Sequence, residues 1–374
     1  MFIDSFKQHF ESVADPRQSA KVTYPFFDIL FGSLCAVIAG AHGWFDIREY
    51  LLGHHKWFLE LGMFKAGIPA DDTIARTISA IKPEQFQACF LKWMAAVHTL
   101  TQGELIAIDG KTLRGSYNRE DRSSTIHMIS AYATANKLVL GQLKTDKKSN
   151  EITAIPELLQ LLDLQGALVS IDAMACQTKI AKTIIEQKGD YLLAVKGNQG
   201  NLSKAVQQAF SALRNDASSL EALQTEKQHG RIESRLCQVL DASTLEGNFS
   251  RWKGLKTLAM ITSFRTEKGK PVSMEYRYYI SSAELTPEQF ASAVRGHWAI
   301  ENSLHWVLDV VMNEDACQIY RGDAPQILAC ARHMAQNMLR AETSRKASLR
   351  KKQQFAGMSS PYLEKVLDSG LAEL

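Results

Sequence analysis

The stretch "LIAIDGKTLRGS", residues 105–116, begins as an apolar strand and ends in polar and basic residues. Its first four residues are all apolar, and a run of this kind predicts a strand in the interior of a sheet. Asp109 follows at once, and Gly110, Lys111 and Arg114 come after it. We therefore expect the strand to end on a carboxylate at the edge of a sheet and to pass into a flexible, basic turn.

A second stretch, "VSIDA", repeats this pattern, and its apolar strand ends on Asp172. In α/β sheets, sites form at the carboxyl ends of the strands. One such Asp alone is explained best as a structural cap. Two on neighbouring strands repel and raise each other's pKa unless a cation lies between them. Because Mg²⁺ is bound by one or two carboxylates in proteins, Asp109 and Asp172 predict a metal site, with the nearby basic residues facing a phosphate.

The helix predicted over "HWAIENSLHWVLDVV" supplies a third acid, Glu301. An apolar stripe that starts at Ile300 is expected to pack on the sheet, which places Glu301 about 100° away, at the margin of the stripe. His297, Glu301, His305 and Asp309 are four residues apart on one face. The alternatives are a solvated polar edge and a His-x₃-Glu-x₃-His zinc site, which lacks the HExxH pattern of zinc proteases.

The composition is that of a soluble globular protein. The chain has 374 residues, of which 45% are hydrophobic and 22% charged, and its net charge is +3. Two or three domains are expected, and a nucleic-acid partner is neither required nor excluded. Six cysteines without a CxxC pair indicate buried free thiols. The charged N-terminus is unlike a signal peptide, and the longest apolar run, residues 29–41, is shorter than the ~20 residues that span a bilayer. These features predict a cytoplasmic protein with no membrane partner.

The predicted secondary structure changes along the chain. Residues 1–100 are predicted to be helical, either as a bundle or as a DNA-reading module. From residue 101, strands alternate with helices, which is typical of a sheet with helices packed on its faces. Residues 222–282 read as strands only and predict an antiparallel insertion. Helices then return, and residues 346–374 are expected to form a basic helical tail.

Several motifs together resemble one family. They are "IAIDGKTLRGS", "KSNEITAIPELL", "IDAMACQ", "YLLAVKGNQ", "HGRIESR" and "HWAIENSLHWVLDVVMNEDACQIYRGDAPQILACARHMAQNML". The chain resembles the ISAs1 family of insertion-sequence transposases, which includes the H-repeat-associated proteins and is related to the IS4-type DDE transposases. The likeness runs in register from about residue 10 to about residue 360. It implies an RNase H-like mixed sheet over residues 101–345, with the β-rich insertion between the second Asp and the Glu.

The resemblance also implies an activity. Asp109, Asp172 and Glu301 would form the acidic triad that binds two Mg²⁺ or Mn²⁺ ions and transfers phosphoryl groups during DNA cleavage and joining. The substrates would be the double-stranded terminal inverted repeats of the element and a target DNA, and the protein would self-associate on DNA. IS4-type enzymes also use Tyr, Arg and Lys near the Glu, but this chain has Val294, His297 and Leu308 there, so those roles are not transferred.

Basic and polar residues near these motifs are expected to contact DNA. A solvated loop is the alternative for those beside Asp109, and a plain hairpin turn for those in the insertion. The candidates are Lys111, Arg114, Arg119, Arg122, Lys196, His229, Arg231, His297 and His305. His305, Arg332 and Asn337 are further candidates for supporting the acids from behind. The run "RKASLRKK", residues 345–352, either solvates a helix or adds salt-dependent contacts to the DNA backbone.

Two other functions remain open at this point. A phosphohydrolase with Asp109 as nucleophile would need a second Asp two residues later, where this chain has Lys111. A DNA-binding remnant of a transposase would retain the triad without catalysis. Metal-dependent DNA cleavage distinguishes an active transposase from both.

Overall fold

The computed structural model describes residues 2–18, 20, 22–98, 101–118, 120, 124–145, 151–212, 220–228, 231–267 and 271–371. Six helices come first: α1 Phe2–Phe10, α2 Phe26–Ile38, α3 Trp44–Gly53, α4 His55–Glu60, α5 Asp71–Ser79 and α6 Pro83–Val97. Eight follow: α7 Glu151–Gln160, α8 Thr178–Glu186, α9 Gly200–Ala212, α10 Pro287–His297, α11 Trp306–Val310, α12 Ala324–Ala341, α13 Leu349–Met358 and α14 Ser360–Leu371.

Nine described strands form one sheet. They are β1 Leu105–Thr112, β2 His127–Ala133, β3 Leu138–Thr145, β4 Leu168–Ile171, β5 Asp190–Val195, β6 Leu220–Gln228, β7 Arg231–Asp241, β8 Thr257–Glu267 and β9 Ser273–Ser281. Their spatial order is β3-β2-β1-β4-β5-β9-β8-β7-β6. β1, β4 and β5 are parallel, and β2 is antiparallel to both of its neighbours. This 3-2-1-4-5 order confirms the RNase H-like mixed α/β sheet that the resemblance implies.

The strands-only region lies beside β5. It forms an antiparallel ribbon from β6 to β9, as predicted. Its last strand, β9, pairs with β5 from Leu192 opposite Ser281 to Val195 opposite Tyr278. The insertion therefore extends the central sheet by hydrogen bonding and shares its backbone frame.

β1 is longer than the sequence predicts. The expectation that it ends on Asp109 and passes into a turn is wrong, because it continues to Thr112 along β2. Its parallel pairing with β4 stops earlier, at Ile108 opposite Ile171. Asp109 thus lies where β1 loses its β4 partner but keeps its β2 partner. Lys111 belongs to the strand and not to a flexible turn.

Helices from both ends of the chain pack around this sheet. One core of buried side chains includes Phe6 of α1, Trp93 of α6, Val169 of β4 and Leu367 of α14. The C-terminal segment forms α13 and α14 and is packed into this core. Within the basic run, Lys352 is 7% exposed and donates a hydrogen bond to the carbonyl of Leu339. None of the helices described here has the length and apolar character to cross a membrane.

Candidate active site

The register of β1 and β4 places the two aspartates side by side. Asp109 and Asp172 are the residues that follow the last parallel pair, Ile108 and Ile171. Asp172 precedes a short 3₁₀ turn, residues 173–175, but its carboxylate does not cap that turn and remains exposed. A capping role therefore does not explain Asp172.

The loop after β5 is fixed against the loop that carries Asp172. Asn198 donates from Nδ2 to the carbonyl of Ala173 at 2.6 Å, and Gln199 donates from Nε2 to the carbonyl of Cys176 at 2.8 Å. Lys196 directly follows the last residue of β5, Val195, and its side chain is exposed. Its contact with a phosphate stays a prediction.

Glu301 begins a π-helical turn, Glu301–His305, between α10 and α11. The N–H of Trp306 donates to the carbonyl of Glu301, five residues earlier, which is the hydrogen bond that defines a π turn. Such turns are rare and frequently occur at functional sites. Glu301 itself is exposed.

The π turn also keeps the residues that are spaced four apart, from His297 to Asp309, on one side of the helix. In a pure α-helix, residues four apart drift by about 40° per step, so His297 and Asp309 would lie on different sides. One additional residue in the turn reverses about 100° of this drift. His297 Nδ1 is 3.0 Å from Ser170 Oγ on β4, and His305 Nδ1 is 3.5 Å from Asp109 Oδ2. This face of the helix therefore follows the edge of the sheet.

The acidic side chains act on one another electrostatically. Burial raises the pKa of Asp109 from 3.8 to about 7, with further contributions from the charges of Glu301, Glu151 and Asp172. A hydrogen bond from the Gly110 N–H opposes the shift. The structure therefore brings all three acids of the predicted triad to one place, together with Glu151, to which the sequence analysis assigns no role.

The donor set at this edge consists of hard oxygen ligands. Among the described residues, no group of three or more His, Cys, Asp or Glu side chains is placed so that it could hold a metal ion. The three acids of the predicted triad nonetheless offer only carboxylate oxygens, the ligand type that Mg²⁺ binds together with waters. This donor set differs from the Cys and His ligands of a structural zinc site.

The two histidines near the acids face the sheet. Burial and the charge of Lys111 lower the pKa of His305 to about 3. Burial also lowers the pKa of His297. Both imidazoles are therefore neutral near pH 7, and their contacts with Asp109 and Ser170 position the edge of the sheet. Neither is an exposed cation of the kind expected to hold a phosphate.

Lys111 lies in a buried ion cluster. Its Nζ is 2.7 Å from Asp309 Oδ1, 3.0 Å from Glu314 Oε2 and 3.1 Å from Asp315 Oδ1, and the residue is 8% exposed. The sequence predicts that Lys111 contacts a phosphate, but the structure corrects this prediction. Its ammonium group is already paired with three carboxylates. Arg114 contacts the same Asp315 at 3.4 Å but is 81% exposed, so it remains accessible.

The other candidates are distributed as follows. Arg332 is buried behind this cluster, with Nη1 3.7 Å from Glu314 Oε1. Asn337 does not approach the acids, because its amide bonds to the backbone N–H and carbonyl of Val139 and joins α12 to β3. Arg119, Arg122 and His229 lie outside the described residues, as does the side chain of Arg231.

A cleft of about 740 Å³, which the sequence does not predict, adjoins Glu301. It lies between the insertion and the segment from α10 to the π turn, and its lining includes Arg235, Arg265, Arg277, Arg295 and Trp298. The guanidinium of Arg277 stacks 5.4 Å above the Trp298 ring. The sequence signal for a charged strand face here is "MEYRYY", residues 274–279. Its Glu275 and Arg277 are two residues apart and therefore share one face of the strand.

Replacing Lys111 by Met would leave Asp309, Glu314 and Asp315 without their shared cation. We expect the free energy of unfolding to fall by about 3–5 kcal/mol, the usual cost of removing one partner from a buried ion pair. Urea denaturation measures this change. Arg114→Met is the matched control, since its exposed contact with Asp315 is worth less than about 1 kcal/mol. Equal losses in the two variants would contradict the description of a buried cluster.

The raised pKa of Asp109 predicts a pH-dependent stability difference in metal-free protein. Because the folded state holds this proton more tightly than the unfolded chain, the carboxyl destabilises the fold as pH rises from about 4 to about 7. Asp109→Asn removes the effect, so its Tm relative to wild type should increase across that range. The exposed Asp368→Asn is the control. A Tm difference between Asp109→Asn and wild type that stays constant with pH would refute the raised pKa of Asp109.

Comparisons with known proteins agree with this geometry. The family model described as "Transposase DDE domain" matches residues 100–338, and the one described as "DDE_Tnp_1-associated" matches residues 7–94. The H repeat-associated putative transposase YhhI of Escherichia coli (strain K12) is 48% identical, over 100% of both chains. The putative transposase YncI of Escherichia coli O157:H7 is 46% identical, over 99% of this chain and 96% of that relative.

A solved piggyBac transposase chain, from a synaptic complex with hairpin DNA, superposes with a TM-score of 0.48 at 12% identity, covering 97% of this chain and 81% of that chain. The assignment depends on the sequence matches. Since the DDE domain model spans most of the chain and relatives of equal length are nearly half identical to it, the chain belongs to the family of DDE transposases.

Proposed function

We propose that this protein is an active insertion-sequence transposase that cuts DNA at the ends of its element and joins those ends to target DNA. Asp109, Asp172 and Glu301 are its metal-binding acids. One observation carries the proposal: within the described part of the chain, no Lys or Arg lies within 4 Å of any of these three carboxylates. Their charges are left for a bound cation to neutralise.

The acids around the nearby Lys111 differ from these three acids, because they have a cation of the protein beside them. There, three carboxylates surround an ammonium group and are neutralised by the protein itself. At the sheet edge, the basic side chain nearest to Asp109 is the neutral His305. A structural ion pair explains the first group of acids but not the second.

The chemistry follows from the donor set. Asp109, Asp172 and Glu301 would hold the divalent ions, which when bound would supply activation of the attacking oxygen and stabilisation of the leaving oxygen of a phosphodiester. The chain itself orients the acids: the β1–β4 register fixes Asp109 beside Asp172, the π turn presents Glu301, and His305 holds Asp109 from the helix side. No side chain needs to become covalently attached to DNA.

The exposed cations indicate where the DNA would run. Arg114 and Lys196 flank the acids, and the cleft that contains Trp298 adjoins Glu301. The four arginines of this cleft each pair with a glutamate, from which a phosphate would have to draw them: Arg235 and Arg265 with Glu233, Arg277 with Glu275 and Arg295 with Glu226. Arginine and aromatic side chains together suit a phosphate backbone and its unstacked bases. We assign the terminal repeats and the target DNA to this surface, and the reading of the repeat sequence to the helices of residues 1–100. Joining two ends requires self-association of the protein on DNA.

The phosphohydrolase alternative is disfavoured by Lys111. The residue two positions after a nucleophilic Asp would have to exchange protons with the substrate. Here that residue is 8% exposed and is bound to three carboxylates. The remnant alternative has the same structure as an active enzyme, and a cleavage measurement separates the two.

DNA that carries the element's own termini, incubated with Mg²⁺ or Mn²⁺, tests the proposal. Wild type should nick it at the element ends, and Asp109→Asn, Asp172→Asn and Glu301→Gln should each reduce the rate by on the order of 10²-fold or more, because each removes transition-state charge stabilisation. Asp368→Asn is the control and should cut normally. Binding without cleavage by wild type would establish the remnant, and normal cleavage by Asp109→Asn would refute this site.

A further inference from the structure

Glu151 is a buried acid that the proposed mechanism does not use. It begins α7, within the motif "NEITAIPELL", and is 7% exposed. Its Oε1 is 2.5 Å from His127 Nε2, and no Lys or Arg of the described chain lies within 4 Å of its carboxylate. A buried carboxylate is costly unless it is paired and hydrogen-bonded, and the imidazole of His127 is the partner of Glu151 here.

The position of Glu151 is defined by Gly110, the residue after Asp109. A Cβ atom at Gly110 would lie 2.3 Å from His127 Nε2 and 2.5 Å from Glu151 Oε1. Both distances are too short for a real side chain. The polar ends of His127 and Glu151 therefore occupy the side-chain space of the residue next to the first aspartate, and any other residue at 110 would push them away.

His127 holds Glu151 in this place. His127 Nε2 and Glu151 Oε1 are 2.5 Å apart and share a hydrogen bond, for which the imidazole N–H is an available donor. The other ring nitrogen, Nδ1, is 2.9 Å from Thr112 Oγ1 on β1. The chain Thr112–His127–Glu151 thus fixes the carboxylate by packing and hydrogen bonds without supplying a Lys or Arg charge.

Glu151 approaches from the face of the sheet opposite to Glu301. Successive residues of a strand point to opposite faces. Asp109 and Lys111 face the segment that contains His305 and Asp309, whereas Gly110 lies against His127 and Glu151. Acids therefore reach the open edge beyond Ile108 from both faces.

We propose that Glu151 is a fourth carboxylate of the metal-binding site, held beside Asp109 by His127 and admitted there by the missing side chain of Gly110. The inference rests on the proposed function, because it needs divalent ions at the sheet edge. A fourth acid supplies one more oxygen donor and the charge that a second divalent ion requires.

Mn²⁺ binding to the DNA-free protein tests this role without any reaction. Glu151→Gln retains the shape and the hydrogen bond from His127 but removes the charge. Electron paramagnetic resonance of free Mn²⁺ should show about 10- to 100-fold weaker binding than in wild type, the usual effect of altering a metal site's supporting groups. Glu342→Gln is the matched control, since Glu342 is also buried but bonds to Tyr362 far from the edge.

Gly110→Ala is a second variant that changes no charge. Its methyl group should displace Glu151 and weaken Mn²⁺ binding in the same direction, which keeps the test decisive if Glu151→Gln does not fold. Wild-type Mn²⁺ affinity in both variants, with binding lost in Asp109→Asn, would overturn the role of Glu151 and leave the proposed function standing. A wild-type protein that binds no Mn²⁺ and cuts no DNA would overturn both.

Discussion

Carboxylates held close together repel one another, and at the edge of this sheet that repulsion is resisted by the backbone. Hydrogen bonds between β1 and β4 set Ile108 opposite Ile171, and this register alone makes Asp109 and Asp172 neighbours. Because β1 remains paired with β2 up to Thr112, Asp109 cannot withdraw from the edge. The folded sheet thus stores an electrostatic cost that a bound cation would relieve, as expected for a preorganised site.

The segment from α10 to α11 carries two acids in different electrostatic surroundings. At Asp309 it joins a buried cluster in which Lys111 neutralises three acids. At Glu301 it presents an exposed acid beside Asp109 with no such partner. The π turn makes both contacts possible, because it keeps His297 and Asp309 on one side of a helix that would otherwise rotate them apart.

Local patterns in the sequence predict the strands, the helices and the triad, because an apolar run that stops at an Asp is a short-range signal. They fail where distant residues decide. β1 extends through Lys111 because it stays paired with β2, and the ion cluster of Lys111 joins it to acids some 200 positions later, of which apolar periodicity carries no trace. The joining of β9 to β5 likewise depends on residues that are distant in the sequence. Glu151 is the same kind of case, since its burial beside Gly110 is visible only in three dimensions.

Anomalous X-ray diffraction from crystals grown with Mn²⁺ would locate the metal without any reaction. We expect Mn²⁺ at the edge of the sheet that carries Asp109 and Asp172, with Glu301 among its ligands. Crystals of Asp109→Asn should lose this signal. Saturating Mn²⁺ that is absent from this edge, with the three carboxylates bonded instead to basic side chains of the protein, would contradict the metal-binding role of these acids.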